Sequence, residues 1–204
     1  MTKLNLQKSI SIQRGFTLIE LLVSVAIFSV VMVIALGSLL VISESNRKAE
    51  SLKSVVNNLN FSLDSMTRSM RTGINYTCSP SIPLAGTPPS ADCTVSPGGS
   101  SVAFTDTSNR GVVYKFESSN ASLCNQTGIV GCITRSVDGG ATFSPLTAPE
   151  VRVTSLSFYV IGSSISDQLQ PKISIVVSGT MQVTSTLTSQ FNLQTSVTQR
   201  LYDQ

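Results

Sequence analysis

The sequence predicts an α+β protein: one long N-terminal helix followed only by strands, with an antiparallel sheet packed on that helix. Three observations carry this prediction. All eight prolines lie between Pro80 and Pro171, while Phe16 to Thr72 contains a single glycine, Gly37. An apolar run of 27 residues, Phe16 to Ile42, holds one charged residue, Glu20. Beyond Cys78 the chain becomes rich in turn residues and short alternating segments, and it carries four cysteines.

The first element is a short basic segment. Met1 to Gly15 holds Lys3, Lys8 and Arg14 and no acid. Such charges keep an N-terminus in the cytoplasm and send the following chain outward. The run that follows exceeds the roughly 20 residues needed to cross a bilayer. Its acid is anomalous. A lone carboxylate in a membrane helix costs about 2.5–3.5 kcal/mol on insertion scales and marks a functional position. No Lys or Arg lies nearby on the same helix; a cation from another chain would satisfy Glu20, and the competing reading is an ordinary membrane anchor whose acid snorkels to the interface. An ordinary secretory signal fits poorly, because its apolar core is about 7–15 residues and ends in a small-x-small site.

The junction reads Arg14-Gly15-Phe16-Thr17-Leu18-Ile19-Glu20. It resembles the type IV prepilin leader: short, basic, ending in glycine, then phenylalanine, an apolar helix and glutamate at the fifth position. The resemblance covers roughly the first third of the chain. It implies cleavage between Gly15 and Phe16 by a prepilin peptidase, methylation of the new amine of Phe16, and pairing of Glu20 with the N-terminal amine of a neighbouring subunit. Glu20 then acts as a register device. Gly37 stands at a depth where major pilins often carry proline; glycine there either permits local melting or lets helices approach closely.

The implied fold is pilin-like, and the length and late strands look more like a minor pilin or minor pseudopilin. The implied partners are other pilin or pseudopilin subunits, the prepilin peptidase and an inner-membrane assembly platform. Nucleic acid is a partner only for a DNA-uptake pilus. The implied location is a single pass of the cytoplasmic membrane, with the C-terminal domain outside and the whole chain in a pilus or pseudopilus after assembly.

From Ile42 the helix is expected to continue. Ala49, Leu52, Val56, Leu59, Leu63, Met66 and Met70 alternate spacings of three and four, which makes one apolar stripe. The stripe is expected to pack on the chain's own sheet rather than in a coiled coil, and Gly73 is expected to end the helix. The expected organisation is therefore a leader (1–15), a transmembrane assembly helix (16–42), an amphipathic continuation (43–73) and an extracytoplasmic β-rich domain (74–204).

Cys78 to Ser101 reads as a surface loop rich in proline and glycine. An even cysteine count in an exported domain points to disulfides, with three possible connectivities. Cys78–Cys93 and Cys124–Cys132 are favoured, since each closes a short local loop. With no His and no C-x-x-C pair, no metal site and no cofactor are expected.

Strands are expected at Val112–Glu117, Ile129–Arg135 and Val151–Ile161. Lys172–Gly179 and Met181–Thr188 are expected to form a hairpin about Gly179-Thr180, and Phe191, Leu193, Thr195 and Val197 alternate in a last strand. Ser136 to Phe143 resembles an Asp-box, with Phe143 in place of the usual Trp; one copy reads as a hairpin turn. Four N-x-S/T sequons, at Asn60, Asn75, Asn120 and Asn125, are unremarkable in a chain with 54 Ser and Thr.

The net charge of +3 belongs to the leader; from Phe16 onward 11 basic residues balance 11 acidic ones. No basic field remains to hold nucleic acid nonspecifically. No nucleophile, base and orienting group can be assembled from the sequence, so the chain is not expected to be an enzyme. The leading function is a minor structural subunit of a type IV pilus or a related secretion or competence pseudopilus. The alternative is a membrane-anchored carbohydrate- or DNA-binding module exported by the same route.

Overall fold

The computed structural model describes residues 15–79, 90–94, 98–120, 122–125, 131–164, 167–182 and 188–200. The basic segment 1–14, most of the proline-rich loop, and residues 129, 130 and 183–187 lie outside them. The chain divides into two compact units, Met1–Arg47 and Lys48–Gln204.

A single helix, α1 (Leu18–Arg71), supplies all of the helix among the described residues. Strong helix formers and the absence of proline sustain it for 54 residues. The second unit contains the strands β1 (Ile74–Thr77), β2 (Ser101–Thr105), β3 (Gly111–Glu117), β4 (Cys132–Ser136), β5 (Ser144–Pro145), β6 (Val151–Ile161), β7 (Lys172–Gln182) and β8 (Thr188–Thr198). They form two antiparallel sheets, in the orders β1-β2-β3-β4-β5 and β6-β7-β8. One long helix before antiparallel strands is the α+β arrangement of the pilin-like fold.

The last part of α1 supplies one wall of the core. Val55, Leu59, Leu63, Met66 and Met70 are buried together with Tyr76, Phe104, Tyr114, Ile133, Phe158, Ile173 and Ile175. The rings of Phe104 and Tyr76 lie 5.6 Å apart, and those of Phe104 and Tyr114 6.1 Å apart. The expected stripe holds from Leu59 to Met70 and fails above it. Ala49, Leu52 and Val56 are exposed, and Val55 is buried instead. A strict heptad spacing drifts by about 20° per seven residues on a straight helix, so over the two heptads from Met70, Val56 moves about 40° toward one side of the buried face, and Val55 lies nearer its centre.

Gly73 follows the helix end, and its amide bonds the Met70 carbonyl at 3.2 Å. A side chain there would collide with the Phe104 ring, so glycine serves packing at this turn.

The expected hairpin about Gly179-Thr180 is not formed. β7 runs straight through both residues to Gln182, and the register to β8 is unbroken from Lys172↔Thr198 to Gln182↔Thr188. Gly179 is a packing glycine: a Cβ there would strike the Phe191 ring and the Arg152 carbonyl.

The cysteine loop is also more than surface. Cys93 pairs with Val160, and Gly99 with Phe158, along the outer edge of β6. Val153 donates to the Gly131 carbonyl at 2.9 Å further along the same edge. The described parts of this loop thus join the two sheets. Three strands, β1, β2 and β5, are not among those expected from the sequence. The expected Ile129–Arg135 strand is observed as β4, which begins at Cys132.

Candidate processing and assembly segment

The apolar run emerges as a fully presented helix. Every large apolar side chain from Phe16 to Ile42 is exposed, Phe16 at 78% and Leu40 at 73%. Among the described residues, α1 is also the one helix long and apolar enough to cross a membrane. Buried donors in such a helix must be satisfied locally. The hydroxyls of Ser24, Ser29 and Ser38 do this by donating to the carbonyls of Glu20, Val25 and Ile34, at 2.7, 2.8 and 3.0 Å.

Gly15, Phe16 and Thr17 precede the helix without regular structure. Among the described residues, nothing lies within 4 Å of the space where a Gly15 side chain would stand, so none of them covers the Gly15–Phe16 bond. Thr17 is the helix N-cap. Its hydroxyl accepts from the Glu20 amide at 3.3 Å, and its carbonyl accepts from the Leu21 amide at 3.2 Å. Thr17-Leu18-Ile19-Glu20 has the spacing of a capping box, S/T-x-x-E. This signal is present in the sequence alone.

Glu20 is therefore in the first turn of α1, where the positive end of the helix favours an acid. It is exposed, and no ion pair to it is formed among the described residues. Gly37 sits in uninterrupted helix with nothing within 4 Å of its Cβ direction, so there is room for another backbone to approach.

The cysteines join as Cys78–Cys93 and Cys124–Cys132. The Asp-box-like segment is a closed turn. Ser136 donates to Asp138 at 2.5 Å, the Thr142 amide reaches both Asp138 oxygens at 3.0 Å, and Gly139 and Gly140 take positive φ. The Ser136 and Thr142 hydroxyls hold the Asp138 carboxyl well below the usual range. The carboxylate is spent on its own turn. Phe143 packs on Ala103 and Val113, with the Lys115 ammonium 4.2 Å from its ring centre.

Glu117 anchors the approach to the second disulfide. It accepts from the Ser119 amide and hydroxyl at 3.0 and 2.8 Å and from Lys115 at 3.2 Å. Burial pushes its carboxyl up, but the Ser119 and Lys115 donors more than offset this and hold it at about 2, against an ordinary 4.5. A depressed acid stabilises the fold above its unfolded value and loses that contribution as pH falls through the folded one. The stabilisation is up to about 3 kcal/mol at neutral pH and disappears between roughly pH 4.5 and 2. Denaturation of wild type and Glu117→Gln from pH 7 to 2 should show a gap that closes over that window. Parallel curves would refute the assignment.

Residues 10–36 match the family model of the prokaryotic N-terminal methylation motif. This N-terminus is type IV pilin-like. The matched residues contain Gly15, Phe16, Thr17 and Glu20 and reach to within one residue of Gly37. The motif indicates a pilin-type precursor that a prepilin peptidase processes, that is anchored in the membrane by its apolar helix, and that assembles with other pilins. Proteins with this pilin-like start are structural rather than catalytic. No curated protein and no solved structure matches the chain.

Proposed function

We propose that this chain is a minor structural subunit of a type IV pilus or of a related type II secretion or competence pseudopilus. One observation carries the reading. The methylation motif spans an open Gly15–Phe16 junction, followed at once by a capped, fully exposed apolar helix with one acid in its first turn. In this reading the peptidase cuts between Gly15 and Phe16 and the Phe16 amine is methylated. Glu20 meets the amine of a neighbouring subunit and fixes the register. Residues 16–42 form the membrane and assembly helix, and Gly37 is its point of close approach or loosening. Residues 43–73 continue that helix, and 74–204 form the domain outside the membrane. The assembly platform of the inner membrane receives the chain before it enters the filament.

The sizeable β domain supports a minor rather than a bulk role, since the eight strands and two disulfides build much surface beyond the helix. The test is intact mass and N-terminal analysis of the protein from its native membrane. The expected product begins at N-methyl-Phe16. A chain that begins at Met1, or one cut well past Glu20, would refute the reading.

A further inference from the structure

Among the described residues, nothing blunts the outer edge of the second sheet. The amide of Gln199 bonds the Pro171 carbonyl at 2.9 Å, toward β7, and the amide of Arg200 bonds the Arg71 carbonyl at 2.8 Å, on the opposite side. Backbone direction alternates along an antiparallel ladder. Odd-numbered residues of β8 therefore bond β7. Thr188, Gln190, Asn192, Gln194, Ser196 and Thr198 turn both N–H and C=O outward. No backbone partner meets these six among the described residues.

Other edges in this fold are guarded. β1 has four residues and an irregular register, and β5 has two residues, one of them Pro145. The outer edge of β6 is met by Cys93, Gly99 and Gly131. β8 has eleven residues, an unbroken register, no proline and no charge. Natural sheets protect such an edge with lysine, proline or a bulge unless another strand is to add there.

Beside this edge runs an open groove of about 410 Å³. Asp64, Thr67, Arg68 and Arg71 of α1 form one wall and β8 from Thr195 to Val197 the other. Arg68 is 3.4 Å from Asp64. Arg71 is exposed and makes no ion pair among the described residues, so the groove carries a spare positive charge.

We propose that β8 accepts one extended strand of a neighbouring pilin-like subunit, and that an acidic side chain of that strand meets Arg71. The proposal rests on the filament reading above. β8 contains no acid, so the β8 strand of a second copy offers Arg71 nothing.

Hydrogen exchange on the full chain tests this, with the purified chain in detergent compared with the same chain in the assembly isolated from membranes. The six outward amides should exchange at least tenfold more slowly in the assembly, with those of β7 unchanged. Gln194→Pro removes an outward donor without touching the β7 ladder, and Arg71→Glu reverses the groove charge. Each should lower incorporation at least tenfold while the purified variant melts as wild type does. A chain that is cleaved, methylated and incorporated, yet exchanges at β8 as the monomer does, overturns the strand proposal alone. A chain that is neither cleaved nor incorporated overturns the filament reading and this proposal with it. Concentration-dependent protection of β8 in the purified chain overturns the choice of occupant in favour of a second copy.

Discussion

Replacing Glu20 with valine is expected to leave the leader cut normal and to remove the chain from the filament. The two effects separate because Glu20 has two physical relations. One is local. The Thr17 cap uses the backbone amide of residue 20, not its carboxylate, so the helix start survives the substitution. The proposed cleavage junction, Gly15–Phe16, is also unchanged by the substitution.

The other is the proposed relation, which reaches beyond the chain. A carboxylate in the membrane costs about 2.5–3.5 kcal/mol, and a helix N-terminus returns about 0.3–1 kcal/mol of that. About 2 kcal/mol is left for a cation to recover, and Phe16 to Ile42 contains none. A free Phe16 amine on a neighbouring chain is the group that fits. Valine makes insertion easier and docking unselective, so incorporation should fall at least tenfold, as roughly 2 kcal/mol demands. Mass analysis of the membrane fraction and immunodetection in sheared filaments read the two effects separately. Normal incorporation of the variant would sink the register role.

The N-terminal part of this protein was legible because its signal is one-dimensional. An apolar run, one acid and a glycine at fixed spacing need no tertiary partner to be read. Burial on two sides was harder. Each of the five residues of β2 is buried, with Phe104 in the main core and Ala103 against Val113 and Phe143, so the alternation that marks a half-exposed strand is missing. Glycine usually breaks strands, so Gly179 looks like a turn in the sequence; the Phe191 ring across it is a tertiary reason the sequence does not print. The same holds for Cys93 and Gly99, whose ladder bonds to β6 come from a segment with loop composition. At the candidate site the Glu20 position was legible. Its Thr17 cap is equally legible, in the spacing Thr17-x-x-Glu20.

Gly131→Ala should strongly destabilise the second unit. Gly131 lies just before β4 and accepts from Val153 of β6, so it sits where one sheet meets the other. A Cβ at this position would fall inside the contact distance of the Val153 carbonyl, which is backbone on both sides and has no rotamer to yield. Phe116 closes the remaining side at 3.5 Å. Relief requires β4 and β6 to part, which breaks the junction bond and opens the core around Ile133 and Val153. Overpacking in a tight core costs about 1–3 kcal/mol, and the rigid obstacle puts this case at the upper end. For a unit of this size that is a drop in Tm of roughly 6–12 °C. Gly37→Ala is the matched control: the same methyl group enters open space on α1, and the second unit should melt unchanged. Thermal unfolding of both variants decides the matter, since equal Tm values would mean that the two sheets are not joined through Gly131.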